Sequence, residues 1–307
     1  MTVDVVCVAS WNVDLIAHIS SPLLRGQTQM AHGFERLPGG KGSNAAIAAA
    51  RQGAQVGLIA RIGGDDFGQM GLDLWALEGI DTQHVVRGEG EINGTALILV
   101  YPDGDNSIAV HPGAGAGLTT AHVQSADHML AQARVLMASC EVPITATQTA
   151  FEIARAHGVL TLLNPAPAMP IPHALWPLID VLTPNEGELR MLAQAPDVET
   201  AARKLLAQGV GAVVVTLGAQ GCALFQPHMP TLYVPGHAIT VVDTIGAGDT
   251  FTGTLAAALA RKAAWPEALQ WANAAAALST TARGAVTAMP TRAQVQTWLA
   301  PEQAPSR

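Results

Sequence analysis

Apolar residues in this chain gather in short unbroken runs rather than in strict alternation. Residues 3–9, 56–60, 95–100, 135–138, 159–163, 181–183, 212–216 and 239–242 are dominated by Val, Ile, Leu and Ala. Runs of this kind predict parallel strands buried on both faces. Between them, helical spacing predicts helices over 43–52, 67–77, 147–156, 186–193 and 200–208, several stopped by a glycine such as Gly53, Gly158 or Gly209. The alternation predicts an α/β fold, a doubly wound and mostly parallel sheet with helices on both faces. Two regions break it. Residues 18–37 and 93–111 carry turn signals such as Pro102-Asp103-Gly104-Asp105-Asn106 and predict antiparallel hairpins, hence a small β lid over one sheet edge. No linker or repeat interrupts the chain. The expectation is one domain over 1–307, with the lid from about 14–38 and 93–111 and a frayed tail over 301–307.

Composition narrows the class. A chain of 307 residues that is 49% hydrophobic can bury a large core. Its formal net charge is −8, and its lysines are only Lys41, Lys204 and Lys262, which argues against nucleic-acid or anionic-membrane partners. Cys7, Cys140 and Cys222 are widely spaced, with no CxxC pair. They predict buried, reduced thiols in a cytoplasmic protein rather than disulfides or a zinc site. The N-terminus lacks a signal-peptide pattern, and the apolar run at 274–278, flanked by Asn273 and Ser279, reads as a buried helix rather than a membrane span.

The most informative segment is Asp243-Thr244-Ile245-Gly246-Ala247-Gly248-Asp249-Thr250-Phe251. It lies between the strand-like 239–242 and the helix-like 254–260. A strand, a small-residue turn and a helix N-terminus predict an anion site, and Asp249 places a carboxylate beside it. A second glycine cluster, Gly39-Gly40-Lys41-Gly42-Ser43-Asn44, opens another helix. It reads either as a loop with Ser43 as N-cap, or as backbone brought close to a ligand with Lys41 and Asn44 aimed into a cleft; the presence of a rare lysine favours the second. No Walker A loop or GxSxG elbow is present. The loose GxGxxA match at Gly40 lacks a strong preceding strand, which weakens an NAD-binding reading. Asn12 and Asp14, in phase after the first strand, suit sugar hydroxyls or a plain turn equally. Glu141, Asn185, Glu188, Thr216, Gly218 and Gly221 all follow strands, and together they predict one cleft along the carboxyl edge. The histidines, His237 among them, show no metal-ligand spacing.

At this point the chain resembles the ribokinase-like (PfkB) family of sugar kinases over nearly its whole length. The residues that carry the resemblance are Asn12-Val13-Asp14, the Gly39 to Asn44 cluster, Gly63-Gly64-Asp65-Asp66-Phe67-Gly68, Leu163-Asn164-Pro165-Ala166-Pro167, Thr183-Pro184-Asn185-Glu186 and the Asp243 to Phe251 motif. The resemblance implies an ATP-dependent kinase acting on the primary hydroxyl of a furanose. D-ribose, giving ribose 5-phosphate, is the first choice; fructose, a deoxysugar, a sugar acid or a nucleoside are the alternatives. It implies Asp249 as catalytic base, with Gly246, Ala247 and Gly248 as the anion hole. It implies Asn12, Asp14, Gly40, Lys41, Asn44 and Glu141, with Asp249, as sugar-binding positions. Asn185 and Glu188 would serve Mg²⁺ through water, and Thr216, Gly218, Gly221, Gly248 and Asn273 the nucleotide. Asp243, Ile245, Ser279, Ala282, Gly284 and Ala288 would enclose K⁺, and the lid would form a homodimer contact. Asn273 stands where family members often carry a histidine against the adenine. Trp11 replaces a smaller residue, either reshaping the sugar site or simply packing. A non-catalytic sugar-binding regulator on the same fold is the rival from another class.

Overall fold

The first strand shows how the main sheet is built. In β1 (Val5–Ala9), Val5, Cys7 and Ala9 enter one apolar cluster while Val6 and Val8 enter another on the opposite face. A run that is apolar at every position is therefore buried twice over. The computed structural model describes residues 3–300, so the expected frayed tail at 301–307 lies outside the described residues.

After β1 the chain forms β2 (Asn12–His18), β3 (Gly33–Gly39), α1 (Lys41–Arg51), β4 (Val56–Gly63), α2 (Asp66–Leu77) and β5 (Asp81–Gly88). It continues through β6 (Gly94–Val100), β7 (Asn106–His111), α3 (Thr120–Gln124), α4 (Asp127–Gln132), β8 (Val135–Ser139), α5 (Ile144–Ala156) and β9 (Leu160–Asn164). Then come β10 (Val181–Leu182), α6 (Glu186–Ala193), α7 (Val198–Ala207), β11 (Ala212–Thr216), β12 (Gly221–Phe225) and β13 (Leu232–Pro235). The last elements are α8 (Ala247–Ala260), α9 (Trp265–Ser279), α10 (Ala285–Ala288) and α11 (Arg292–Leu299).

The main sheet has 9 strands in the order β13-β12-β11-β10-β9-β8-β1-β4-β5. It is parallel from β11 to β5, while the β11–β12 and β12–β13 pairs at one edge are antiparallel, so β12 alone runs against the rest. Helices α1, α8 and α9 cover one face, and α5, α6 and α7 the other. The doubly wound, mostly parallel architecture predicted from the runs is therefore present. The winding reverses between β1 and β8, and their carboxyl ends open a crevice there.

A second sheet of 4 strands, in the order β3-β2-β6-β7, stands beside the first. The pairs β2–β3 and β6–β7 are antiparallel as expected, but β2 and β6 run parallel. Residues 95–100 belong here and not to the main sheet. Asp65 and Asn93 tie the two sheets together. Asp65 caps α2 through Gly68 N (3.0 Å) and also accepts from Asn93 N (2.9 Å). The Asn93 side chain reaches Gly63 N and Gly94 O.

Other expectations fail for physical reasons. Residues 239–242 are not a strand. Val241 and Val242 are more than half exposed, and Val242 N donates to Thr280 O (2.8 Å) instead of to a ladder. The run pairs with no strand of either sheet, so its β-branched residues gain no ladder or facing layer. The following helix begins at Ala247 rather than Thr254, so the Gly-Ala-Gly-Asp motif lies in its first turn. β5, β12 and β13 are additional to the expected strands, and the predicted helix at 274–278 is the end of the longer α9.

Candidate active site

Two helices bring the site together. α1 and α8 pack closely, with Gly253 of α8 against Ala45 and Ala48 of α1, in a surround of buried small residues. Small residues let the helix axes approach closely, and Asn44 consequently meets Asp249: Asn44 Nδ2 donates to Asp249 Oδ2 at 2.9 Å. Asn44 Oδ1 is buried with no partner among the described residues, so it can accept from an incoming hydroxyl.

The glycine cluster serves the protein's own packing. Gly40 has φ +93°, and a Cβ there would lie 2.7 Å from Ser10 O; at Gly42 it would lie 2.6 Å from Ala9 Cα, and at Gly39 2.5 Å from Asp14 Oδ1. The cluster thus approaches the end of β1 and Asp14 closely. Ser43 is not an N-cap. It is wholly buried and accepts from Trp75 Nε1 (2.8 Å). Gly40 is the N-cap, and the capping acceptor comes from beyond β8: Glu141 Oε2 takes Lys41 N (2.8 Å) and the Ser10 hydroxyl (2.6 Å). That pair bridges the crevice between β1 and β8. A strand, β3, does precede the cluster, but it belongs to the small sheet, so the loop is not the turn of a dinucleotide-binding βαβ unit. Trp11 packs: its indole N–H donates to Phe67 O (2.8 Å), and its ring meets Trp75 edge-to-face with centroids 5.5 Å apart.

Asp14, Lys41, Glu141, Glu188 and Asp249 are near enough to perturb one another. Burial pushes Asp249 up to about 6, with Glu141 and Glu188 adding to the rise while Lys41 and the Asn44 hydrogen bond oppose it. Asp14 is also raised to about 6, by burial and by Glu141 and Asp249 against Lys41. Burial alone would lower Lys41; Asp249, Glu141, Glu188 and Asp14 more than offset this and leave it raised. The result is a lysine held charged among carboxylates, two of which stay ionised at neutral pH but close to protonation. Asn12 and Asp14 share one face of β2, and the Asn12 side chain lies against Gly94.

On the other side of the α8 N-terminus lies a cavity of about 280 Å³. Thr216, Gly218, Gly221, Gly248 and Asn273 all line it, as do Ala247, His237 and Thr280. Gly218 and Gly221 bracket the turn between antiparallel β11 and β12, so this turn is a hairpin. Asn273 Nδ2 donates to Pro235 O (2.7 Å) and pins the end of β13. Gly246 is glycine for its φ of +76° and its contact with Ala285. Gly248 has no such reason within the protein, because nothing lies within 4 Å of its missing Cβ. It faces open space at a helix N-terminus, where an anion is favoured.

Asn185 and Glu188 form the capping box of α6, with Asn185 Oδ1 on Glu188 N (2.8 Å) and Glu188 Oε2 on Asn185 N (2.9 Å). Burial raises Glu188 against the pull of Asn185 N and Lys41. Among the described residues no three His, Cys, Asp or Glu converge on a metal position. A divalent ion at Glu188 would thus need phosphate oxygens and water for its shell, which is how Mg²⁺ is commonly held.

Asp243 accepts from Ile245 N (3.0 Å) and Gly284 N (2.8 Å). It ties the anion turn to the loop before α10. Of the other expected positions, Ser279 is buried in the last turn of α9, Ala282 is exposed in the turn beyond, and Ala288 ends α10. The Ser279 hydroxyl donates to Ala276 O (2.8 Å), within its own helix.

Comparison with known proteins agrees with this geometry. The family model described as pfkB family carbohydrate kinase matches residues 3–292. The chain is 35% identical over 295 residues to the ribokinase of Haemophilus influenzae, covering 94% of this chain and 96% of that protein. Its structure superposes on ribokinase from Thermotoga maritima with a TM-score of 0.90 at 32% identity, covering 97% and 99% of the two chains. Arabidopsis thaliana ribokinase complexed with ribose and ATP gives 0.90 at 30% identity, covering 97% and 98%.

Proposed function

The chain belongs to the pfkB family of carbohydrate kinases, and from that premise we propose that it transfers the γ-phosphoryl of ATP to the primary hydroxyl of a furanose, with D-ribose as the sugar. It is a sugar kinase, phosphorylating a hydroxyl. The observation that carries the finer reading is the position of Asp249, between the polar group of Asn12, Asp14, Lys41, Asn44 and Glu141 on one side and the cavity at Gly248 on the other.

In this reading the sugar lies against Asn12, Asp14, Lys41 and Asn44, with Asn44 Oδ1 accepting a hydroxyl. Asn44 Nδ2 occupies Asp249 Oδ2, which leaves the other oxygen to take the proton of the attacking hydroxyl. An Asp raised to about 6 is ionised yet basic enough for that task. The amides of the Gly246-Ala247-Gly248 turn and the Lys41 ammonium face the charge of the transferring phosphoryl, and positioning plus charge neutralisation is what this reaction needs. Glu141 holds the glycine cluster in register. Mg²⁺, when bound at Glu188 through water, would neutralise phosphate charge. The small sheet serves as a lid of one kinase domain. Its exposed Phe34, Leu97, Ile108 and Val110 suit a second copy of the chain, so a monomer that retains full activity would remove the dimer from the proposal. Among the described residues no helix is long and apolar enough to cross a membrane, and a kinase drawing on free ATP belongs in the cytoplasm.

The test is ADP release across D-ribose, 2-deoxyribose, fructose, sugar acids and nucleosides. D-ribose is expected to give the highest kcat/KM; a nucleoside or hexose ahead of it overturns the assignment. The tie made by Asp243 leads to a second expectation. K⁺ should raise kcat above its value in Na⁺ at equal ionic strength, because ordering the 243–246 turn positions the anion-hole amides. Equal rates in the two salts would remove the cation from the scheme.

A further inference from the structure

The cavity at Gly248 holds a hydrogen-bond donor that the protein leaves unused. His237 follows β13 across Gly236, and both residues line this cavity together with Asn273. Trp298, on α11, donates its indole N–H to His237 Nδ1 at 3.3 Å, and the two rings meet edge-to-face with centroids 6.2 Å apart. An indole N–H can only donate, so Nδ1 must present its lone pair. In the neutral ring the proton then sits on Nε2. Burial lowers the His237 pKa, which keeps the ring neutral and Nε2 a donor. Nε2 is buried and has no partner among the described residues. An unmade hydrogen bond of this kind asks for an acceptor, and His237 lines the cavity.

We propose that His237 is a specificity-determining residue for the nucleotide: its Nε2–H donates to an acceptor on the nucleoside part, a base nitrogen or a ribose oxygen, with Trp298 fixing the tautomer. This rests on the reading that the cavity takes ATP. Asn273 spends one of its two Nδ2–H donors on Pro235 O. The local sequence hides the pair, since His237 and Trp298 lie 61 residues apart and come together only when α11 packs beside the loop after β13.

The experiment compares ATP with 7-deaza-ATP, 3-deaza-ATP, 1-deaza-ATP and 2′-deoxy-ATP as substrates of the full-length wild type, His237→Phe, His237→Gln and Trp298→Phe. In the wild type, one analogue is expected to raise the nucleotide KM about 3- to 10-fold, the worth of one hydrogen bond. His237→Phe keeps a ring but loses the donor. It should show the same rise with ATP itself, unchanged kcat and sugar KM, and no further loss with that analogue. His237→Gln restores a donor and should recover much of the ATP affinity. Trp298→Phe frees the tautomer and should give a smaller rise in the KM for ATP itself, with no further loss for that analogue. If ATP is used but neither His237→Phe nor Trp298→Phe alters the wild-type analogue profile, the proposal fails and the kinase reading stands. If the wild type does not use ATP, the kinase reading itself fails.

Discussion

Asp249→Asn is expected to lower sugar-dependent ADP release by about 1,000-fold, within the range that general-base loss produces, while ADP still binds. The substitution keeps the shape of the side chain and an oxygen that can accept from Asn44 Nδ2, so the α1–α8 contact survives. What it removes is the proton acceptor. In the wild type the same group should set the acid limb of the pH profile, with kcat/KM falling as the pH drops through about 6 and the carboxylate is protonated. Stability should move the other way. The folded pKa of Asp249 lies above its ordinary value of 3.8, so the folded state binds this proton more tightly than the unfolded state does. Its stabilising contribution is complete below 3.8 and is lost as the pH rises through about 6. The neutral amide of the variant carries no such dependence. The variant should therefore melt above the wild type at neutral pH, and the gap should close as the pH falls from about 6 towards 3.8. Substantial turnover by the variant, measured by coupled ADP release, would remove Asp249 as the base. A pH-independent difference in Tm would remove burial as the cause of its raised pKa.

The parts of this arrangement that could be read from sequence are those that depend on local chemistry. β1 was legible because five consecutive apolar residues can be buried only between two layers. The α8 N-terminus was legible because Gly-Ala-Gly-Asp has few uses other than a tight turn into a helix. Asn185 and Glu188 were legible at i and i+3, a spacing that also makes a capping box. The failures share a cause, in that a partner far along the chain decides the outcome. Ser43 has the chemistry of an N-cap, yet Trp75 takes its hydroxyl and Glu141, 100 residues from Lys41, supplies the cap. Residues 239–242 have the composition of a strand, but no strand lies beside them. Trp11 left two readings open, and Trp75 and Phe67, far along the chain, decide for packing by taking its ring and its N–H. Glycines 39, 40 and 42 signalled close approach, and β1 and Asp14 lie against them.

Gly253→Ala carries the second large effect, because the distance between α1 and α8 is the distance between Asn44 and Asp249. A Cβ on Gly253 would collide with the Ala45 carbonyl oxygen and press on Ala48 Cβ at 2.9 Å. A carbonyl inside α1 cannot swing aside as a side-chain tip can, so the helices must separate. Overpacking of this kind costs about 1–3 kcal/mol, visible as a lowered Tm or urea midpoint. The catalytic loss should be larger in proportion. Asn44 precedes Ala45 directly, and Asp249 lies one helical turn before Gly253, so both ends of the 2.9 Å hydrogen bond sit on the displaced surfaces. A displacement of about 1 Å there is expected to lower kcat about 100-fold. Nucleotide affinity should fall less than kcat, since Thr216, Gly218 and Asn273 lie off that interface and only Ala247, Gly248 and Phe251 of α8 line the cavity. Adding Ala48→Gly relieves only the side-chain contact and leaves the Ala45 carbonyl in the way. The double variant should therefore remain slow even if part of its stability returns. A Gly253→Ala enzyme with lowered stability but undiminished kcat would show that the close helix packing serves the core alone, and that Asn44 and Asp249 keep their geometry by other means.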